Sequence, residues 1–554
     1  MRFKKWIPGV MLGAMMAVMV TVPVMADNIN SGSTPPPIEF SKVSSTNADS
    51  SSGGDSGKVC DFKDFKTSGI KTVTKVWDDS LSNDERPVPD VSISTAKPSK
   101  NPLGYTITYH GNGLTFADGT TENEVIVNRS GKIVSGQYMD LIASSGWYAD
   151  TDCTMRVDIG TNGLPANGVN TDLELYAKKK TFVLKTGLDF NKLIPSAATS
   201  VVFTNKIVPT SAKLIDVDAD GDGGVVAWMD GTTMKVSTQT PEQKIYANAD
   251  SSLMFTDKSN LTTIDFHNLD TRNIENMSGM FFDCSNLTAL DLSSFNTSKV
   301  YEMNNMFDHC TKLTTLDLSL FDTSKVERAV NMFEGCSSLT SLDLSMLDFS
   351  KVKEVSKDNG DDEYNSIFKD CSALTRLKLP KMSNKITNMA CLFSGCMNLT
   401  ELNLNSLDTS NVTDMNGMFE SCRSITKLDL SALNTSKVSN MSFMFYYCRN
   451  LTEIDLTSLN TSNVVNMDSM FQRCFNLTSL DLSSLNTQKV TDMSYMFYGC
   501  SKLINLSLGD KFTFVDSDYY LPKGTWYSSN GTAYTSDGSS CTIPKNKSDT
   551  YTRK

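Results

Sequence analysis

LTALDLSSFNTSKVYEMNNMFDHCTK, residues 287–312, is one full turn of a pattern that fills the second half of the chain. Leu287, Leu290 and Leu292 alternate with polar residues around Asp291, the period-2 signature of a short strand. Phe295 faces inward next, and Asn296-Thr297-Ser298 reads as a polar turn. Val300, Met303, Met306, Phe307 and Cys310 follow at spacings of 3, 3, 1 and 3, which predicts one apolar face of a short helical return. Such a coil cannot bury its apolar face alone, so neighbouring coils must stack into a continuous core. The expected architecture is a solenoid, a parallel β ribbon with short helical returns, preceded by small all-β modules.

Working outward, Cys284, Cys310, Cys336, Cys371, Cys396, Cys422, Cys448, Cys474 and Cys500 mark the rhythm. Most steps are 26 residues; 336 to 371 is 35 and 371 to 396 is 25. Met254-Phe255 extends the series one coil earlier, with Lys258 in place of the cysteine. Ten coils therefore occupy residues 252–508, a ribbon of roughly 50 Å at ordinary strand spacing. The nine periodic cysteines share one inward position, so they are expected to stack as buried thiols rather than pair. Ligands spaced so regularly along a ribbon cannot converge on a metal. Cys60, Cys153, Cys391 and Cys541 lie off this ladder, and the sequence does not fix their pairing.

The recurring LDLS, [ND]TS-x-V, M-x-x-MF and C motifs, as in LTSLDLSSLNTQKVTDMSYMFYGC (477–500), resemble the leucine-rich-repeat family. They are most similar to the BspA-like surface proteins with DUF285-type repeats. The resemblance implies a leucine-rich-repeat-like solenoid on the bacterial surface and adhesion to host or neighbouring-cell molecules. One departure stands out. Phe295, Phe321 and Leu433 occupy the place near which ordinary repeats carry an inward Asn or Cys, and the Asn or Asp comes one residue later. The polar ladder of those repeats must be rebuilt in another way.

The amino terminus sets the compartment. Arg2, Lys4 and Lys5 precede an apolar stretch, 10–22, that ends in Val24-Met25-Ala26. That is the pattern of a secretory signal peptide, residues 1–26, cut before Asp27. The apolar stretch is short for a membrane span. Cleavage takes the formal net charge from −12 to −15, which disfavours nucleic acid and anionic membranes as partners. Residues 27–58, rich in Ser, Gly, Asn and Pro, read as a disordered spacer.

Residues 59–180 read as β-rich. Lys75-Val76-Trp77-Asp78-Asp79 with Arg86-Pro87 resembles the opening of a Cna-B-type sandwich. The stretches 105–113, 146–148 and 173–178 resemble the small β-grasp repeat of internalin B, which implies a spacer or accessory binder. Residues 181–251 form a bridge and amino-terminal cap, with a hairpin turning at Asp230-Gly231. Residues 509–554 form the other cap, and no wall-sorting signal follows Leu521-Pro522-Lys523-Gly524.

Three groups are candidate sites. Asp216, Asp218, Asp220 and Asp222 resemble a calcium loop, although Ala227 replaces the closing Glu; a plain Asp-Gly turn explains the same residues. Asp265, Asp291, Asp317, Asp343, Asp429, Asp455 and Asp481 recur at the outward strand position, interrupted by Lys378 and Asn403. They either hold a basic ligand or cation or solvate the sheet. Phe443, Tyr446, Tyr447, Tyr495 and Tyr498 fall between core positions as binding anchors or inter-coil packing. The insertion 353–366 bulges from one coil. Only His110, His267 and His309 are present, with no nucleophile, zinc or phosphate-loop motif. The expectation is a non-enzymatic protein, without cofactor unless calcium binds, whose partner is an extracellular protein or glycan. A structural stalk, or an enzyme sited in 59–250, is the alternative.

Overall fold

The computed structural model describes residues 65–67, 70–72, 104–141, 143–360, 364–515 and 517–554. The expected signal peptide and spacer, Cys60 and the 75–87 stretch lie outside the described residues. The chain forms two compact units, Met1–Thr95 and Ala96–Lys554. In the first, Phe65–Thr67 pairs antiparallel with Ile70–Thr72.

The second unit begins with a six-stranded mixed sheet. Its central strands, Tyr105–His110 and Leu173–Lys179, run parallel, flanked by Glu122–Val127 and Ile133–Ser135 on one side and Ser144–Tyr148 and Arg156–Val157 on the other. Ile107, Tyr109, Val125, Trp147 and Leu175 alternate inward to form its core. The Trp147 indole donates to Tyr138 Oη (3.1 Å), which satisfies its polar edge.

The bridge adds an element that sequence reading missed, an α-helix over Gly187–Leu193. Thr186 caps it by accepting from the Asp189 N–H (3.4 Å). Its Phe190 is fully buried against Phe203 and Phe255. Beside it, Val226–Asp230 and Thr233–Ser237 form the expected hairpin, and Gly231 takes a left-handed φ of 62° at the turn. Ser200–Phe203 then pairs parallel with both Thr233–Ser237 and Thr263–Asp265, the strand of the first coil. The bridge thus continues the ribbon and covers its edge. At the far end Asn505–Leu508 pairs with Asp549–Arg553, which pairs in turn with Gly524–Tyr527. One apolar core runs without a break from Leu184 to Tyr551.

The coils stack in register. A parallel bridge links Asp250, Asn276, Glu302, Arg328 and Glu354, and another series links Asn388, Asp414, Asn440, Asn466 and Asp492. The return segments correct the expectation of helices. Among the described residues no α-helix occurs between 252 and 508. In a typical coil the N–H groups of Met277, Gly279, Phe281 and Asp283 donate to carbonyls of the next coil (2.7–3.0 Å). Those of Met280, Phe282 and Cys284 turn back three residues within their own coil. Gly279 and Asp283 are left-handed, at φ 58° and 49°, which interrupts any right-handed helix. Two such turns bring Met277, Met280, Phe281 and Cys284 inward, the spacing that imitates a helical face.

Phenylalanine supplies the axis of the core. Phe255, Phe281, Phe307, Phe333, Phe368, Phe393, Phe419, Phe445 and Phe471 stack successively with centroids 5.5–5.9 Å apart. That exceeds the 4.7–4.9 Å strand spacing, so the rings are offset as their quadrupoles prefer. The insertion leaves this register intact, since Phe333 and Phe368 still stack at 5.9 Å and 3°. Its extra residues fold out as a hairpin, Ser356–Asp358 against Tyr364–Ser366.

The nine ladder cysteines are free and buried. Each thiol donates to the phenylalanine carbonyl of the preceding coil, as from Cys310 to Phe281 (3.2 Å) and from Cys422 to Phe393 (3.3 Å). Cysteine therefore serves here as a compact apolar residue carrying one weak donor. Burial pushes the thiols of Cys310, Cys396, Cys448 and Cys500 up to about 12, leaving little nucleophilic thiolate. A thiol reagent is expected to label half-exposed Cys153 and Cys541 in the native chain and to reach the ladder only after denaturation. Peptide mapping resolves the sites; ladder labelling within minutes under native conditions would contradict this packing.

Candidate functional site

The outward aspartates have a local task. Asp291 Oδ1 accepts the Ser293 N–H at 3.0 Å, and Asp317, Asp343, Asp429, Asp455 and Asp481 accept the N–H two residues ahead at 2.9–3.1 Å. Asp265 does the same for His267 (3.0 Å). Each carboxylate closes the turn that follows it, at the end of a strand for Asp265 and Asp343 and after an extended, unpaired stretch for Asp291, Asp317, Asp429 and Asp455. Hydrogen bonds from Ser293, Ser319, Ser431 and Thr457 hold Asp291, Asp317, Asp429 and Asp455 below the usual carboxylate range. Lys378, which interrupts the ladder, pairs with Asp343 at 2.6 Å and, with Ser345, holds it at about 2.

The aromatic residues do come together, and arginines join them. Arg423 stacks its guanidinium 4.6 Å from the Tyr447 ring centre, with Arg449 at 5.9 Å and Arg473 at 5.8 Å. Arg473 also donates to Tyr446 Oη (3.2 Å). Phe443 meets Tyr446 edge-on at 5.7 Å, and Phe475 meets Tyr447 at 5.9 Å. Tyr495 and Tyr498 form a neighbouring group with Tyr520, at 5.0 and 5.4 Å. Arg423 and Arg449 line a groove of about 620 Å³ shared with Ser372, Asn398, Ser424 and Asn450. The Arg423 Nε is buried there and donates to no described residue.

Backbone geometry makes this face unusual. In most coils the left-handed positions carry Gly, Asn, Asp or Ser, such as Gly279, Asn305, Gly395, Gly417 and Ser421. Leu253, His309 and Cys391 are earlier exceptions. In the last three coils Phe443, Tyr447, Arg473 and Tyr495 take four of the six positions at φ 56–62°, and Ser469 and Gly499 take the other two. A bulky residue in this region costs about 1–2 kcal/mol relative to glycine. Sequence reading missed the arginines because it followed aromatic residues alone. Aligning the coils would have found them: Arg423 and Arg449 each follow a ladder cysteine, and Arg473 stands in the Tyr447 column.

Residues 249–361, 362–455 and 452–515 match a family model described as Mycoplasma protein of unknown function, DUF285. The repeats match DUF285. All ten coils fall within this match, and so does the aromatic–arginine face. No curated protein matches the chain. Two solved structures with some likeness are a TLR13 complex with single-stranded RNA and a leucine-rich-repeat protein of Leptospira interrogans. The first is 17% identical, with a TM-score of 0.15, over 47% of this chain and 51% of its own. The second is 11% identical, with a TM-score of 0.13, over 44% of this chain and 77% of its own. The chain thus spans about half the length of the first, and likeness at this level carries no argument about a partner.

Outside the residues that match this family model, the calcium-like stretch forms a cluster. Single carboxylate oxygens of Asp218, Asp220 and Asp222 lie within 4.8 Å of one another. Asp216 stands outside this cluster, a correction to the four-residue set; its Oδ1 accepts the Asp218 N–H (2.9 Å). Burial, with Asp220 and Asp222 alongside, pushes the Asp218 carboxyl far above its ordinary value. Of the histidines, His110 stacks on Tyr176 at 4.7 Å between Glu122 and Glu174, and His309 bonds Asp308. Among the described residues no helix is long and apolar enough to cross a membrane.

Proposed function

We propose that the chain is an exported bacterial surface or secreted protein of the BspA-like type. Its leucine-rich-repeat-like solenoid binds an extracellular protein or glycan and catalyses no reaction. The observation that carries this reading is the aromatic–arginine face of the last coils. Tyr447 and Arg473 occupy left-handed positions where glycine or asparagine would be less strained. Strain retained at a half-buried cluster of Tyr and Arg, the residue types that dominate binding hot spots, points to a contact surface. A stable protein contact needs on the order of 800 Å² per partner, within reach of three or four adjacent coils.

The test compares residues 27–554 with its Tyr447→Gly variant on immobilised matrix proteins, mucins and glycans. Glycine relieves the backbone, so the variant should unfold within about 1 kcal/mol of the parent even after losing its cation–π contacts. Its binding should fall tenfold or more. Equal binding by both would remove this face from the contact. A parent that binds no ligand on the array would overturn the binding reading and favour a structural stalk.

A further inference from the structure

The loop between strands Ile215–Asp216 and Val226–Asp230 brings three carboxylates together, and for two of them the protein leaves buried oxygens without a partner. Asp218 is fully buried, and neither of its carboxylate oxygens accepts a hydrogen bond from any described residue. Asp222 Oδ2 is likewise buried and unpartnered. Burying uncompensated carboxylates is costly. Of the nearby cations, one is engaged at Asp220 and the other beside Asp216. Lys178 pairs with Asp220 Oδ2 at 2.9 Å. Lys185 donates to the Asp218 backbone carbonyl and lies 3.9 Å from Asp216. No described cation is paired with the Asp218 carboxylate itself.

The backbone holds this arrangement in place. Asp222 Oδ1 accepts from Gly224 (2.7 Å), and Gly221 and Gly223 take φ of 72° and 74°. Ala219 donates to the Val183 carbonyl (2.8 Å), and Asp218 bridges Leu184. The cluster is therefore built into the joint between strand Leu173–Lys179 and the cap of the first coil. Converging oxygen ligands with net negative charge suit a hard divalent cation.

We infer that Asp218, Asp220 and Asp222 bind one hard divalent cation, calcium in preference to magnesium, which locks this joint. Calcium is favoured because it accepts variable ligand number and geometry, whereas magnesium demands a near-ideal octahedron. The inference is independent of the binding face on the coils.

Titration calorimetry of residues 27–554, stripped with EDTA, with CaCl2 or MgCl2 tests this. One calcium per chain should bind, with dissociation in the micromolar to millimolar range, and magnesium at least tenfold more weakly. The thermal midpoint should rise with calcium concentration. Asp218→Asn should abolish calcium binding and leave the midpoint in EDTA close to that of the parent, because the amide keeps the shape of the carboxyl and carries no charge to bury. Asp222→Asn gives a second reading should Asp218→Asn fail to fold, and Asp216→Asn should bind as the parent does. Absence of calcium binding by the parent at millimolar concentration would overturn the inference. So would calcium stoichiometry unchanged in both Asp218→Asn and Asp222→Asn.

Discussion

Phe393→Ala is expected to destabilise the array by about 3–5 kcal/mol and to split its unfolding. Phe393 is fully buried, stacked on Phe368 at 5.9 Å and on Phe419 at 5.6 Å. Removing the ring leaves a cavity that neither neighbour can fill without leaving its own stack. The consequence extends beyond one residue, because each coil is stabilised mainly by its neighbours. A weakened interface in mid-array uncouples the coils before Phe393 from those after it. Calorimetry should show one cooperative transition for the coils of the parent and two for the variant. Exposed Phe475→Ala should change stability by no more than about 0.5 kcal/mol. A single transition in Phe393→Ala, shifted but not broadened, would mean that coupling does not pass through the ring ladder.

The coil was legible because its apolar positions are set by stacking, a constraint written into every repeat. Leu290, Val300, Met306, Phe307 and Cys310 are all buried, as the pattern of residues 287–312 requires. The conformation of the return was not legible. Helical spacing and two successive left-handed turns present the same residues inward, and periodicity alone cannot separate them. Gly279, Gly335, Gly395 and Gly417 carried the distinguishing signal, recurring where a helix would gain nothing from glycine. The seven-residue helix Gly187–Leu193 was hidden by its length, too short for a periodic pattern. At the acidic loop the sequence offered four aspartates in an alternating series. Only burial distinguishes Asp218, sealed against Leu184, from Asp216, which caps a turn at the surface. The arginines around Tyr447 come from three different coils, so their meeting becomes visible only once the coils are laid on one another.

The second large effect concerns the polar ladder that the repeat had to rebuild. Thr435→Val is expected to cost about 1–3 kcal/mol despite its nearly identical shape. Thr435 Oγ1 accepts the Asn460 N–H at 2.7 Å and donates to the Asn460 carbonyl at 3.1 Å. Thr409, Thr323 and Thr461 make the same two bonds to the coil that follows each of them. All four are buried, so each hydroxyl joins backbone groups where water does not replace it. Valine removes both partners at once and strands a donor and an acceptor. The coil that departs from the pattern shows why something must stand there. It carries Phe349 in place of the threonine, and Asp348–Phe349 instead pairs backbone to backbone with Lys381–Met382. Thr435→Ser keeps the hydroxyl and loses only a methyl group, so it should recover most of the loss. Ser436→Ala, one residue along at a half-buried turn position, should stay within about 0.5 kcal/mol of the parent. Denaturant unfolding of the three variants separates hydroxyl from shape. If valine and serine proved equally harmful, the methyl contact rather than the hydrogen bonds would hold adjacent coils together at this turn.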